Sequence, residues 1–321
     1  MLKVLTVTMN PALDREFFVS DFHVNKLHRI HSYEETEMTP GGKGVNVSIA
    51  LAKLGISSVA LGITGGYTGR VVVNELRKIS DLITTSFVHI EQETRENIAI
   101  LDEVNHTITE INSPGPEIDS DTLDHFLKRY EMLLSRVNCV VLSGSLPRGV
   151  ASDTYGYLVK KAKEKGKIVF MEVIDEYLQP SLPIACPHVL RPDLRAEKVV
   201  MGKKLRELED YVRAAKELIK HGCELVVLSY KIKGDIVATK DEVWHLTTDV
   251  EIDSSHLLGI GDTYIAAMIY HRLNVTTEDY IQTAKFGYIA ALAKTRKMKK
   301  EMPTMDEIKS AAHHCKMEKL E

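Results

Sequence analysis

Gly259-Ile260-Gly261-Asp262 sets two glycines and an acid at the start of a helical pattern, amphipathic in reading, that runs from 262 to 273. Glycines let backbone amides crowd around an anion, and a helix N-terminus adds roughly half a positive charge. The combination suits an oxyanion or a transferring phosphoryl group. An aspartate there repels the anion, so it either caps the helix or takes a proton from an attacking nucleophile. A second glycine-rich segment shifts the weight toward chemistry. Pro40-Gly41-Gly42-Lys43-Gly44-Val45-Asn46 opens another helical pattern through Val47, Ala50, Leu51 and Leu54, stopped by Gly55. Two such helix starts predict a site that handles phosphate or a polyhydroxylated ligand.

Around these segments, apolar runs of strand length recur at 2–8, 59–63, 139–142, 168–173 and 225–228. Patterns of helical length lie between them, near 43–54, 68–79, 120–136, 153–165 and 207–221. This alternation predicts an α/β fold: a doubly wound, mainly parallel sheet with helices on both faces. Residues 15–38 and 85–112 break the rhythm with polar-apolar alternation, as in Ser86-Phe87-Val88-His89-Ile90 and Thr107-Ile108-Thr109-Glu110-Ile111. That pattern suits strands with one wet face, and we expect a small β-sheet lid inserted in a single domain spanning 1–321. After Gly261 the chain reads as helical over 262–273, 277–295 and 304–317. The basic run from Lys294 to Lys300 reads first as a solvated helix end and second as a contact for nucleotide phosphates.

At 321 residues and 44% hydrophobic, the chain is long enough for one large α/β domain with a full core. A formal net charge of −4 argues against a general nucleic-acid or membrane-surface binder. Four cysteines, Cys139, Cys186, Cys223 and Cys315, stand far apart with no zinc-ligand spacing, and read as buried thiols in a reducing compartment. No apolar run approaches the roughly 20 residues of a membrane helix. The first apolar run is broken by Asn10-Pro11 too early for a signal peptide, so the expected location is cytoplasmic.

Two familiar phosphate motifs fail. A P-loop requires Ser or Thr after its lysine, and Lys43 is followed by Gly44. A dinucleotide fingerprint requires glycines directly after the first strand, which runs instead into Asn10-Pro11-Ala12-Leu13-Asp14. Asp14 and Asn46 fall where open α/β sheets bind ligands, as acceptors and donors for sugar hydroxyls or, alternatively, as an Asx turn and a helix cap. Arg95, in Glu93-Thr94-Arg95-Glu96-Asn97, suits bidentate phosphate binding or else a surface ion-pair cluster with its acidic neighbours. Lys26 and Arg29 pose the same choice. Ser143-Gly144-Ser145-Leu146-Pro147 ends a strand with two hydroxyls and serves a substrate or a turn.

Taken in order, TMNPALD at 8–14, PGGKGVN at 40–46, ETREN at 93–97, SGSLPRGV at 143–150 and GIGDTY at 259–264 resemble the phosphofructokinase B branch of the ribokinase-like sugar kinases. Within that branch the chain looks most like 1-phosphofructokinases and tagatose-6-phosphate kinases. The resemblance implies a ribokinase-like fold whose lid closes over a phosphosugar, with ATP and Mg²⁺ as cofactors. It implies Asp262 as general base and the amides of Gly259, Ile260 and Gly261 as anion hole. It places Asp14, Gly41, Gly42 and Asn46 on sugar hydroxyls, and Lys43, Arg95 and Ser145 on substrate and its phosphate. Ser229 and Gly234 fall on the nucleotide side, and we add Arg191, Asp193 and Lys231 there.

The chain departs from the family pattern at several points. Arg191-Pro192-Asp193-Leu194-Arg195-Ala196 stands where the family shows Lys-Pro-Asn-x-x-Glu, so the glutamate linked to magnesium is replaced, with Glu197 one residue late. Ser229-Tyr230-Lys231-Ile232-Lys233-Gly234 lacks the first glycine of the usual nucleotide turn, and Ile260 replaces the middle alanine of the anion loop. The expected activity is ATP-dependent phosphorylation of a ketohexose monophosphate, first fructose 1-phosphate to fructose 1,6-bisphosphate, with tagatose 6-phosphate or fructose 6-phosphate as alternatives. A non-catalytic sugar-phosphate sensor is the alternative of another class. A homodimer through the lids is a further expectation.

Overall fold

The computed structural model describes residues 3–274 and 279–320, so Leu2 of the first expected strand and residues 277 and 278 of one expected helix lie outside the described residues. The main sheet has ten strands, in the order Cys315–Lys319, Val243–Thr248, Gly234–Ala238, Leu225–Tyr230, Val189–Leu190, Ile168–Glu172, Cys139–Ser143, Lys3–Thr8, Ser57–Gly65 and Ile83–Ile90. From Leu225–Tyr230 to Ile83–Ile90 neighbouring strands run parallel. The remaining three join antiparallel at one edge.

Successive side chains of a strand point to opposite faces, and Lys3–Thr8 uses both. Leu5 packs with Phe126, Leu158 and Leu218 from the helices Ser120–Leu134, Thr154–Glu164 and Leu208–Lys220. Val4 packs on the other face with Leu51, Ile265 and Ala284 from Lys43–Lys53, Ile260–Asn274 and Tyr280–Lys294. Burial on both faces explains why these strands read as unbroken apolar runs. None of the described helices is long and apolar enough to cross a membrane.

A separate four-stranded sheet, in the order Thr36–Gly41, Ala12–Phe18, Arg95–Asp102, Thr107–Asn112, forms the lid. Its register sorts its faces. Thr39, Asp14, Asn97 and Asn112 form one row across it, polar throughout, and Asp14, Asn97 and Asn112 line the central cleft. The next row, Met38, Arg15, Ile98 and Ile111, shares the opposite face, where the three apolar members are exposed.

The structure corrects several expectations. Ile83–Ile90, expected in the lid, pairs with Ser57–Gly65 as the edge of the main sheet, because an edge strand and a lid strand both have one wet side and alternate alike. The lid strands instead include residues 12–14 and 39–41. The helix expected over 304–317 ends at Ala311, and Cys315–Lys319 is a strand whose Cys315 and Met317 pack against the core. The helix Ile260–Asn274 is not amphipathic: it is buried without interruption from Asp262 to Ile269, between the sheet and Tyr280–Lys294. Nor is the basic run a solvated end. Lys294 is wholly buried, and Lys300 lies 2.7 Å from an oxygen of Asp14 and 3.1 Å from one of Glu16.

Candidate active site

The C-terminal ends of the parallel strands and the polar face of the lid enclose a cleft of about 700 Å³. Its floor is the start of the helix Ile260–Asn274. Gly259 adopts φ +78°, a conformation that L side chains rarely take, and turns the chain into the helix. Gly261 is required for space: a Cβ there lies 2.6 Å from Glu172 Oε1 and 3.1 Å from Arg191 Nη1. The loop thus stands at a helix N-terminus, the arrangement that attracts a phosphoryl oxygen, with the Ile260 amide donating to the Leu257 carbonyl at 3.4 Å.

Asp262 follows directly and is 8% exposed. Its Oδ2 accepts a 2.9 Å hydrogen bond from Asn46 Nδ2, while Oδ1 is buried and has no hydrogen-bond partner. Burial pushes this carboxyl up to about 6, with Glu172 adding to the rise and Lys43 and the Asn46 hydrogen bond opposing it. The group is thus a carboxylate at neutral pH with one oxygen free to take a proton, and its raised basicity suits that task. Asn46 rides on the helix Lys43–Lys53, whose packing on Ile260–Asn274 brings the two glycine-rich segments together.

Lys43 reaches across the cleft to Glu172 Oε1 at 3.4 Å and Asp193 Oδ2 at 3.2 Å. Burial pulls its ammonium down, but the two carboxylates more than offset this and hold it above its ordinary value. Arg191 donates to Glu172 Oε1 at 2.5 Å and to Ser229 Oγ at 2.9 Å. Asp193 is pushed up by burial, yet Lys43 and Arg195 hold it well below the usual carboxylate range.

Glu172 is the residue that sequence reasoning missed. It is 1% exposed, its Oε2 has no hydrogen-bond partner, and it joins Lys43, Arg191 and Gly261 in one cluster. The available signal was a single acid closing the apolar strand Ile168–Glu172 at the edge where parallel sheets bind ligands. Glu197, one place late in the family pattern, is exposed and does not line the cleft.

On the lid side, Asp14 lies within the strand Ala12–Phe18, which excludes an Asx turn. Its Oδ1 accepts from Asn97 Nδ2 at 2.9 Å and its Oδ2 from Lys300 Nζ at 2.7 Å. Each oxygen retains a lone pair for a ligand hydroxyl. Gly41 packs directly on the Asp14 carboxylate, and Gly42 begins the helix beneath it.

Arg95 donates to the carbonyls of Asn10 at 3.2 Å and Ser113 at 3.1 Å. Its acidic sequence neighbours are engaged elsewhere. Glu93 accepts from the amides of Tyr67 and Thr68, and Glu96 pairs with Arg15. The guanidinium, lowered by burial, therefore faces the cleft without an ion-pair partner among the described residues. Ser145 accepts from Asn10 Nδ2 at 3.2 Å and lines the same wall.

At the far end Ser229, Lys231 and Gly234 line the cleft. Lys231 takes φ +59° where the sequence lost a glycine, so the turn survives with a strained residue in it. Lys26 and Arg29 are exposed between the strands Ala12–Phe18 and Thr36–Gly41 and do not line the cleft of their own chain.

No group of three or more His, Cys, Asp or Glu side chains among the described residues makes a metal cage. Mg²⁺ does not need one: it is commonly held by one or two carboxylates plus substrate phosphates and water. The orphaned Oε2 of Glu172, beside the anion loop, fits that requirement.

This arrangement, a doubly wound sheet with a β-lid over a buried carboxylate at a glycine-flanked helix start, is the architecture of a ribokinase-like sugar kinase. A profile of the pfkB family of carbohydrate kinases matches residues 13–304, and the chain belongs to that family. It is similar to a possible 1-phosphofructokinase of Thermotoga maritima, at 49% identity and a TM-score of 0.96, over 99% of this chain and all of that one. Phosphofructokinase-2 of Escherichia coli shares the fold at 23% identity and a TM-score of 0.84, over 98% of this chain and 99% of that one. The protein is a carbohydrate kinase, and kinases of this family generally use ATP and Mg²⁺.

Proposed function

We propose that the enzyme transfers a phosphoryl group from ATP to a ketohexose monophosphate, converting fructose 1-phosphate to fructose 1,6-bisphosphate. The observation that carries the reading is Arg95. A half-buried guanidinium with no acid within ion-pair distance among the described residues, in the same cleft as Asp14 and Asp262, is suited to a substrate that already bears a phosphate.

Asp14, Asn97 and Asn46 orient the sugar hydroxyls. As the 6-hydroxyl attacks the γ-phosphorus, its proton passes to Oδ1 of Asp262, and the amides of Gly259, Ile260 and Gly261 stabilise charge on the phosphoryl oxygens. Lys43 and Arg191 hold Glu172 in place through ion pairs at 3.4 and 2.5 Å. Glu172 and Asp193 are the groups that would hold Mg²⁺, which supplies charge neutralisation on the phosphates when bound. Ser229, Lys231 and Gly234 border the nucleotide. The similarity to the Thermotoga protein supports fructose 1-phosphate over tagatose 6-phosphate or fructose 6-phosphate.

ADP release with ATP and Mg²⁺ over those three phosphosugars and unphosphorylated hexoses tests the reading. Preferred turnover of fructose 1-phosphate supports it, and preferred turnover of an unphosphorylated sugar overturns it. Binding of a phosphosugar without turnover of any would mark a sensor instead. The exposed apolar row Met38, Ile98 and Ile111 supports a homodimer through the lids. A monomer in sedimentation would refute that part.

A further inference from the structure

Lys294 is the last residue of the helix Tyr280–Lys294, yet it is fully buried, unlike an ordinary lysine at a helix C-terminus. Its Nζ donates to the backbone carbonyl of His256 at 3.2 Å and to that of Lys297 at 2.7 Å. No carboxylate lies within ion-pair distance of it among the described residues. Burial lowers the ammonium to about 8, so it carries its charge at neutral pH. The direct contacts of this buried charge are carbonyl dipoles; Glu16 and Glu301 favour it and Lys297 and Lys300 oppose it from beyond ion-pair distance, so its solvation is replaced only in part.

The place of the carbonyls gives the charge a use. His256 closes the turn Ser254–His256, and its ring is itself bonded to the carbonyl of Thr295. Leu257 follows and accepts from the amide of Ile260, and then comes Gly259 at φ +78°. The segment that sets the three amides of the anion loop is thus anchored at its upstream end by one ammonium and one imidazole, both bonded to the end of the next helix.

We propose that Lys294 is a positioning residue for the anion loop, an internal cation that fixes the 256–259 segment and so aims the amides of Gly259, Ile260 and Gly261. The proposal rests on the kinase reading of that loop. A corollary concerns the vacancy left when the side chain is cut back. Carbonyl oxygens that accept an ammonium also accept small, easily dehydrated monovalent cations such as K⁺ or NH₄⁺.

The test compares wild type with K294A and K294M in ADP release, in binding of the β,γ-imido analogue of ATP by calorimetry, and in thermal melting. K294A is expected to lose about 10- to 100-fold in kcat, the scale of a misplaced catalytic group, with KM for the phosphosugar nearly unchanged. NH₄⁺ or K⁺ should restore a good part of the loss in K294A, whereas tetramethylammonium at equal ionic strength should not. K294M, which fills the space without a charge, should be impaired and resist rescue. Wild-type kcat in either variant overturns the proposal. So does a loss that no cation restores, or failure of both variants to fold, either of which marks Lys294 as a stability residue. Should wild type turn over none of the sugars, the kinase reading fails separately. Weaker analogue binding in K294A, restored by NH₄⁺, then still supports the positioning role, and unchanged binding overturns it.

Discussion

Asn46 donates to Oδ2 of Asp262 across 2.9 Å, joining two helix starts that lie 216 residues apart in the chain. The bond leaves the buried Oδ1 as the oxygen without a hydrogen-bond partner and fixes the plane of the carboxylate. The orientation of this carboxylate is therefore built into the packing of one helix on another.

Asp262→Asn removes the base while keeping the shape. We expect kcat to fall by about 10²–10⁴-fold, the usual scale of general-base loss, with phosphosugar binding by calorimetry nearly unaltered. Near-native turnover in this variant would refute the base role.

The raised pKa of Asp262 gives a pH profile. Burial favours the protonated acid, which cannot accept the substrate proton, so kcat/KM should decline as pH falls through about 6 and level off above it. Asn46→Ala withdraws a hydrogen bond from the carboxylate and should move the acid limb to higher pH. A limb that stays in place in the variant would show that another group controls it.

Arg95→Ala should raise KM for the phosphosugar by about 10- to 100-fold, as expected for a charge-assisted contact of about 1.5–3 kcal/mol, and leave KM for ATP nearly constant. Equal effects on the two substrates would rule out a phosphate anchor.

Gly261→Ala inserts a methyl group 2.6 Å from Glu172 Oε1. The Glu172–Arg191 pair is buried and cannot yield easily, so the loop should shift and kcat drop by about 10²-fold for a misplacement of about 1 Å. Retention of full activity would show that the loop has room that the structure denies it.

Lys231→Gly should stabilise the fold. A non-glycine residue at φ +59° costs about 1–2 kcal/mol, partly offset by the greater entropy that glycine loses on folding. A net gain of about 0.5–1 kcal/mol in urea unfolding is expected. Any loss of stability would indicate that the side chain, which lies over the Tyr230 ring, contributes more than the strain.

Much of the fold was legible locally. Strands buried on both faces leave unbroken apolar runs, and the helices between them keep a period of 3.6, so the doubly wound sheet could be read from 2–8 onward. Ile83–Ile90 could not be assigned to lid or sheet edge, since alternation records a wet side and not which sheet supplies the dry one. Cys315–Lys319 was hidden for a related reason: five residues with three exposed carry little apolar signal, and only the open edge at Val243–Thr248 makes them a strand.

For the site, the sequence by itself determined the two glycine-rich helix starts, Asp262 and the order of the segments around them, because anion binding at a helix N-terminus is a local property of the backbone. What Arg95, Glu172, Lys294 and Lys300 do was decided only by the tertiary structure. Whether a charge is a surface ion pair, an anchor for phosphate or a buried clamp depends on which carboxylates and carbonyls reach it. Apart from the Lys297 carbonyl at Lys294, those partners come from strands and loops distant in the chain, and their approach also sets how much water remains.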